Sequence, residues 1–232
     1  MKAINPIQFG IKQNRIIAEG NQFNMVQYGS DNADEFLKFC FKIREKDATK
    51  SEEERLSYNK KVENQIIIEK ENFNHSIYLA ITDKKSENLV STLVAVKKVI
   101  DKQIPTEKYF DLNLNDFCKS KNIKNENIWY YTRLTVDSVF FKNNNLQYQV
   151  SLATTKLLYS SIYEFAKPFF DIVFAEVTDY SQSYVNEKLG QSWKRITGEI
   201  TSEFNKKLFA VYMTAADFDT WCEQVKNDFE IL

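Results

Sequence analysis

Cysteine, histidine, glycine and proline are scarce in this chain of 232 residues, and two of these shortages exclude kinds of site. The three cysteines, Cys40, Cys118 and Cys222, stand far apart without a CxxC pair, which is typical of reduced thiols in a cytoplasm. The single histidine, His75, leaves too few residues for a zinc site of several His and Cys ligands or for a Ser-His-Asp triad. We therefore predict no metal site. Because the chain has only 5 Gly and 3 Pro, we expect asparagine to occupy many of its turns.

Long apolar runs and an excess of either charge are also missing. No window approaches the ~20 apolar residues of a membrane span, and the first residues begin no run of signal-peptide length. The 31 basic and 32 acidic side chains nearly cancel, which argues against a general nucleic-acid binder. Large apolar side chains are abundant, because 43% of the residues are hydrophobic and the aromatic residues include 18 Phe and 12 Tyr. The chain therefore predicts a folded core, and its length favours one domain over residues 1–232.

A strand, a polar turn and a long amphipathic helix follow one another between residues 129 and 166. Residues 129–136 read WYYTRLTV, and these aromatic and β-branched side chains suit a strand. The turn reads KNNN at 142–145. From Leu146 to about residue 166, apolar or small residues recur at spacings of three and four, which predicts a helix lying against a sheet. Such a turn presents the first helical amides to an anion, although the same pattern is also typical of an ordinary surface turn.

The other segments place this unit within a sheet. Strands are predicted at 24–28, 77–81, 89–96, 172–177, 194–200 and 208–213. Helices are predicted from about 33 to 46, near 112–118, at 181–189 and at 217–229, with an irregular stretch at 103–110. The charged segment at 49–64 predicts either an exposed helix or a mobile flap. The order contains one βαβ crossover in otherwise antiparallel surroundings. We therefore predict an α+β fold with a single mixed, mostly antiparallel sheet and helices on both faces.

Two motifs in this order resemble the Gcn5-related (GNAT) acyl-CoA N-acyltransferase superfamily. Residues 104–110, IPTEKYF, and 132–136, TRLTV, are similar to an LPxE…F segment and an SRLxV fourth strand. Both belong to the branch of N-acyl amino acid synthases and acyl-homoserine-lactone autoinducer synthases. Residues 36–44 also fit its first helix, which often ends in an arginine-bearing segment. The resemblance covers about residues 24–213 and implies the acyl-CoA N-acyltransferase fold.

Three positions depart from the pattern of this superfamily. Its phosphate loop reads Arg or Gln, two residues, Gly, one residue, then Gly or Ala, where this chain has Lys142, Asn145 and Gln147. Asn145 can adopt a left-handed turn as Gly would, whereas Gln147 is bulky where a close backbone approach is expected. Asn186 replaces the tyrosine that is the usual general acid, and Tyr130 stands where the branch often has glutamate.

The resemblance also implies where acyl transfer would take place. The reaction needs the thioester carbonyl held against the amine and donors for the oxyanion that forms. Backbone groups of Leu134, Thr135 and Val136 would hold the pantetheine arm and polarise the carbonyl. The residues implied in binding the CoA phosphates are Lys142, Asn144, Asn145, Leu146 and Gln147.

Four side chains are candidates for the chemistry. Glu107 or Glu176 would take the proton of the amine, directly or through water. Arg133 would hold an acceptor carboxylate with its planar fork, and Tyr131 is the candidate proton donor. Each of these side chains also has a structural interpretation. Arg133 would pair with an acid such as Glu107, and Glu107 would brace its loop. Glu176 would lie at a sheet edge, and Tyr131 would pack in the core.

We expect an N-acyltransferase that moves an acyl group to a small amine, with an amino acid as the candidate acceptor. Acyl-CoA or an acyl carrier protein would be the co-substrate, with no permanently bound cofactor. The alternative is a non-catalytic domain of the same fold that binds acyl-CoA or a protein partner, which the altered loop and the missing tyrosine favour. No nucleic acid is expected among the partners.

Overall fold

The computed structural model of the chain describes residues 1–48, 51–146, 148–201, 206–229 and 232. The strands of this described part are β1 Lys2–Ala3, β2 Arg15–Glu19, β3 Phe23–Tyr28, β4 Ser76–Asp83, β5 Leu89–Lys97, β6 Ile128–Val136, β7 Ile172–Val177, β8 Lys194–Thr201 and β9 Lys207–Thr214. Its α-helices are α1 Ala33–Ala48, α2 Glu52–Lys70, α3 Pro105–Phe110, α4 Leu114–Ser120, α5 Ser138–Asn143, α6 Tyr148–Ala166, α7 Asp179–Ser183 and α8 Ala215–Val225.

The strands form a mixed sheet in the order β1-β2-β3-β4-β5-β6-β7-β9-β8. Strands β6 and β7 run parallel, from Ile128 opposite Ile172 to Tyr130 opposite Phe174, with α5 and α6 in the connection between them. The pairs β1–β2, β2–β3, β3–β4, β7–β9 and β8–β9 are antiparallel. The predicted α+β class and the predicted parallel neighbours are therefore confirmed. The β6–β7 ladder ends at Tyr130 and Phe174, although both strands continue beyond it in the described part of the chain.

The chain divides into two compact units. Unit 1 comprises Met1–Val94, Arg133–Tyr159 and Phe229–Leu232, and unit 2 comprises Ala95–Thr132 and Ser160–Asp228. Strand β5, strand β6 and helix α6 each contain residues of both units.

Unit 1 has its core between α1 and the strands β3 and β4. The apolar stripe of α1 places Phe36 and Leu37 on one face, and both side chains are fully buried. The ring of Phe36 meets Tyr28 and Tyr78 edge-on, with centroids 5.4 and 5.2 Å apart. Helix α2 begins at a capping box formed by Ser51 and Glu54. The buried stripe of α2 consists of Tyr58, Val62 and Ile66.

Unit 2 has helices on both faces of its strands. Successive side chains of a strand point to opposite faces, so Tyr130 and Tyr131 of β6 face different layers. Tyr130 packs in an apolar cluster with Ile104, the residue before α3, and with Leu114 and Cys118 of α4. On the other face, the ring of Tyr131 meets Phe218 of α8 with centroids 6.0 Å apart.

Two short helices stand where the sequence predicted irregular chain. Helix α3 starts with Pro105 at its first position, where the missing N–H removes no helical bond, and the Glu107 carboxylate accepts the Ile104 amide at 2.9 Å. Helix α5 starts after Asp137, whose side chain accepts the amides of residues 139 and 140. The long helix predicted from Leu146 begins two residues later, at Tyr148. Local capping residues, rather than apolar periodicity, therefore define these boundaries.

The three cysteines are free and buried. None of the described helices is both long enough and apolar enough to cross a membrane.

Candidate functional site

Arg133 adopts a left-handed backbone conformation inside β6, with φ at 55°. This conformation costs a non-glycine residue about 1–3 kcal/mol and is common at functional sites. Surrounding contacts hold it: the Thr92 hydroxyl donates to the Arg133 carbonyl at 3.0 Å, and the guanidinium pairs with the Glu69 carboxylate of α2. The guanidinium carbon also lies 4.5 Å from the centre of the Phe41 ring. The best-matched motif of the sequence therefore contains a strained residue fixed by three elements of unit 1.

Arg44 provides a second guanidinium to the same group. It lies on α1 and donates to the backbone carbonyl of Leu134 at 3.2 Å. Desolvation by burial lowers the pKa of Arg44, and the neighbouring charge of Arg133 lowers it further, while Glu69 acts in the opposite direction. Among the described residues, Arg44 forms no salt bridge. We name Arg44, Arg133 and Glu69 the arginine cluster.

The residues after Arg133 are only partly accessible. Thr135 is buried, whereas Leu134 and Val136 are partly exposed. The Leu134 carbonyl already accepts the bond from Arg44, and the next amide after the strand, at Asp137, donates to Val90. The role of this segment in holding a pantetheine arm stays a prediction.

The predicted phosphate loop is the last turn of α5 and the residues after it. Lys142 is exposed on α5, and Asn144 and Asn145 are exposed beyond it. Asn145 has φ at 52°, so its predicted left-handed conformation is confirmed. The amides of Asn144, Asn145 and Leu146 donate to the carbonyls of residues 140, 142 and 141, so they are already bonded within the chain. Gln147 lies outside the described residues.

These bonds engage the backbone of the predicted anion site. The amides expected to bind phosphate close the end of α5 instead. Helix α6 begins at Tyr148, and the first amides of a helix have no intrahelical carbonyl partner. The N-terminal turn of a helix favours an anion, and the phosphate-binding role of residues 144–147 stays a prediction.

The left-handed turn at Asn145 gives a direct stability test. Asn145→Ala should lower the free energy of unfolding by about 1 kcal/mol, because alanine resists this conformation, whereas Asn145→Gly should not. Thermal melting would then show a decrease of roughly 2–4 °C for alanine only. Asn144→Ala is the matched control, since Asn144 has φ at −95°. Equal melting of the alanine and glycine variants at 145 would contradict the assignment.

Glu176 in unit 2 is held by two hydroxyl groups. Thr106 of α3 donates to its Oε1 atom and Tyr130 of β6 donates to its Oε2 atom. Thr106 and Tyr130 are buried, with 0% and 7% of their surfaces exposed, whereas Glu176 is partly exposed. The sequence indicated Glu176 but neither donor. A threonine beside Pro105 and a tyrosine three residues before Arg133 give no local signal of a shared carboxylate.

Glu107 has a different environment. Its Oε2 atom lies 2.7 Å from the ammonium of Lys98 and accepts the Ile104 amide. Both side chains of this ion pair are largely buried, with 14% and 13% exposed. This geometry matches the bracing interpretation, because the carboxylate fixes the first turn of α3.

The remaining candidates in unit 2 lie in packed surroundings. Tyr131 is 3% exposed and packs among the rings of Phe170, Trp193 and Phe218. Asn186, at the position of the expected tyrosine, lies in a π-helical turn from Tyr184 to Lys188. Its amide group donates to the Trp193 carbonyl at 3.2 Å and accepts the Trp193 amide at 3.1 Å. Asn186 therefore braces the chain before β8.

The structure distributes the predicted residues between the units. Arg133 and the described cofactor-binding candidates belong to unit 1, and Glu107, Tyr131 and Glu176 belong to unit 2. Sequence reasoning missed Glu69 because the predicted charged helix stopped at residue 64, whereas α2 continues to Lys70.

No protein-family profile matches the chain, and no curated protein matches it in sequence. Solved structures do. The chain is similar to FeeM, an N-acyl amino acid synthase from uncultured soil microbes, with a TM-score of 0.56 and 10% identity over 91% of this chain and 96% of that one. It is also similar to an uncharacterized protein (bh2621) from Bacillus halodurans, with a TM-score of 0.51 and 10% identity over 94% and 100% of the two chains. The chain has the acyl-CoA N-acyltransferase (GNAT) fold, as the resemblance predicted.

Proposed function

We propose that this chain is an N-acyltransferase that moves an acyl group from acyl-CoA or an acyl carrier protein to a small amine bearing a carboxylate, such as an amino acid. The fold supports acyl transfer, and the arginine cluster carries the choice of acceptor. It contains two guanidinium groups and one carboxylate, which leaves one positive charge in excess within the cluster. An acceptor carboxylate would supply the missing negative charge.

The two arginines suit different tasks. Arg133 is bonded to Glu69 and stacked on Phe41, so its orientation is fixed by the protein. Arg44 has five N–H donors, and its bond to Leu134 uses one of them. A guanidinium binds a carboxylate best through two parallel hydrogen bonds. Arg44 is therefore the primary binding group in this proposal, and Arg133 is the second.

The donor side of the proposal rests on α6 and Lys142. The N-terminal turn of α6 offers amides and a positive dipole end to the CoA phosphates, and the exposed Lys142 offers an ammonium group. We take residues 1–232 as one acyltransferase domain. The free cysteines are the support for a cytoplasmic location.

For the proton of the amine, we assign Glu176 rather than Glu107. The Glu107 carboxylate is committed to the Lys98 ammonium and the Ile104 amide, which hold it in the first turn of α3. Glu176 instead accepts hydrogen bonds from the hydroxyls of Thr106 and Tyr130, one at each carboxylate oxygen. In the reaction, the amine nitrogen attacks the thioester carbonyl, the C–N bond forms, and the C–S bond breaks with its electron pair on sulfur.

A non-catalytic acyl-CoA-binding domain remains the second candidate. Two observations favour it: the amides at residues 144–146 are bonded within the chain, and Asn186 is committed to Trp193. Neither position then supplies what the superfamily pattern would place there.

Calorimetry with acyl-CoA, followed by mass spectrometry of products formed with amino acids, tests the proposal. We expect acyl-CoA binding, an N-acylated product, and binding about fivefold weaker for Lys142→Ala, the scale of an exposed charged contact. Lys60→Ala, an exposed lysine on α2, should bind as the unmutated protein does. Binding without product would favour the non-catalytic candidate, and the absence of both would overturn both candidates with acyl-CoA as their ligand.

A further inference from the structure

We infer that Thr106 and Tyr130 are positioning residues that orient the Glu176 carboxylate to receive the proton of the acceptor amine. The inference rests on the proposed acyl transfer and deepens it. Two separate elements, α3 and β6, each direct one hydroxyl to a different oxygen of the same carboxylate. A carboxylate held at both oxygens has a fixed plane, which a general base needs if its lone pair is to meet the proton in line.

The register of the parallel strands explains the Tyr130 contact. Tyr130 pairs with Phe174, and Glu176 lies two residues further along β7 on the same face. A diagonal neighbour at this spacing is within reach of a long aromatic side chain. The position three residues before Arg133 therefore meets a carboxylate from the adjacent strand instead of providing one itself.

Burial separates the donors from the group they hold. Thr106 and Tyr130 are buried, and Glu176 is partly exposed. Each hydroxyl bonds a different oxygen of the carboxylate, so the two contacts together fix its plane. The donors thus anchor Glu176 from inside the protein, and Glu176 itself is partly exposed.

Glu107 gives this arrangement its rigidity. Pro105 at the first helical position and the bond from the Ile104 amide to Glu107 fix the first turn of α3, which carries Thr106. Lys98 fixes Glu107 in turn. Glu107 and Glu176 therefore have different tasks in this inference: Glu107 fixes the first turn of α3, and Glu176 receives the proton.

The proton step balances without a further reactant. The amine nitrogen forms a bond to the thioester carbon, and its proton passes to an oxygen of Glu176. The C–S bonding pair leaves with sulfur as a thiolate, which is protonated by solvent. Thr106 and Tyr130 keep their own protons throughout and act only by holding the carboxylate.

The decisive comparison uses two substitutions at Thr106. Thr106→Ser keeps the hydroxyl, and kcat should stay within about twofold of the unmutated enzyme. Thr106→Val keeps the shape but removes the donor, and kcat should fall about tenfold with KM unchanged, the effect of one lost hydrogen bond on a positioned group. Tyr130→Phe should behave like Thr106→Val. Glu176→Gln should lower kcat by about 10²–10⁴-fold, the range for a general base.

A combined variant separates positioning from stability. In the Glu176→Gln background, Thr106→Val should lower kcat no further, because it acts only through that carboxylate. Melting temperature and acyl-CoA affinity of each variant are measured alongside. The inference is supported if Thr106→Val, which lowers kcat about tenfold in the unmutated enzyme, has no effect on kcat in the Glu176→Gln background.

Three outcomes would overturn it. Thr106→Val or Tyr130→Phe retaining the original kcat would remove the positioning role. Equal losses for Thr106→Val in both backgrounds would show an effect unrelated to Glu176. If the unmutated protein binds acyl-CoA but acylates no amine, the proposed function itself fails, and the inference fails with it.

Discussion

Glu69→Ala should lower the free energy of unfolding by about 3–5 kcal/mol, because it removes the carboxylate paired with a buried guanidinium. The side chains of Arg133 and Glu69 are only 11% and 12% exposed, so water can replace little of the lost interaction. For a chain of this length the melting temperature should fall by roughly 6–20 °C. Thermal melting followed by circular dichroism measures this directly.

A control on the same helix separates the ion pair from general effects on α2. Glu63 is exposed, so Glu63→Ala should change stability by no more than about 0.5 kcal/mol. Replacing both Glu69 and Arg133 by methionine should recover part of the loss, because the Arg133 guanidinium is then no longer buried without its carboxylate, although Arg44 still lacks Glu69. If Glu69→Ala melts like the unmutated protein, the ion pair does not hold the strained strand residue in place.

The Glu69–Arg133 pair also shows where sequence reasoning stops. The motif at 132–136 identified Arg133 without coordinates, because a short strand motif is local. Its partner lies 64 residues away in sequence, on a helix that the charge pattern ended too early. The suggested acid, Glu107, is instead bonded to Lys98. Pairing between distant elements depends on their packing, which single-sequence periodicity does not encode.

The phosphate loop shows the same division between local and distant information. The left-handed conformation of Asn145 was predictable, because asparagine tolerates it better than other non-glycine residues. The hydrogen-bond partners of the neighbouring amides were not predictable, because these partners are carbonyls of α5. This short helix begins at the cap that the Asp137 side chain forms. The parallel strands and the long helix α6 were predicted because their patterns extend over many residues.

Arg44→Gln should raise KM for an amino acid acceptor by about 10–100-fold, the loss expected for a charge-assisted contact, with kcat little changed. The reason is that Arg44, unlike Arg133, forms no salt bridge within the described residues, so an acceptor carboxylate would be its first ionic partner. Arg44→Lys should recover only part of the affinity, because lysine keeps the charge without the fork. Initial-rate measurements over acceptor concentration give both constants.

The acceptor itself provides the sharpest control for Arg44. The amine that lacks the carboxylate but is otherwise identical should be a poor substrate of the unmutated protein, and Arg44→Gln should not make it poorer. The difference between the two acceptors then reports the carboxylate contact alone, even if losing the Leu134 bond lowers stability. Arg55→Gln, an exposed arginine on α2, should leave both acceptors unaffected. An equal loss for both acceptors in Arg44→Gln would mean that Arg44 supports the strand and does not bind the carboxylate.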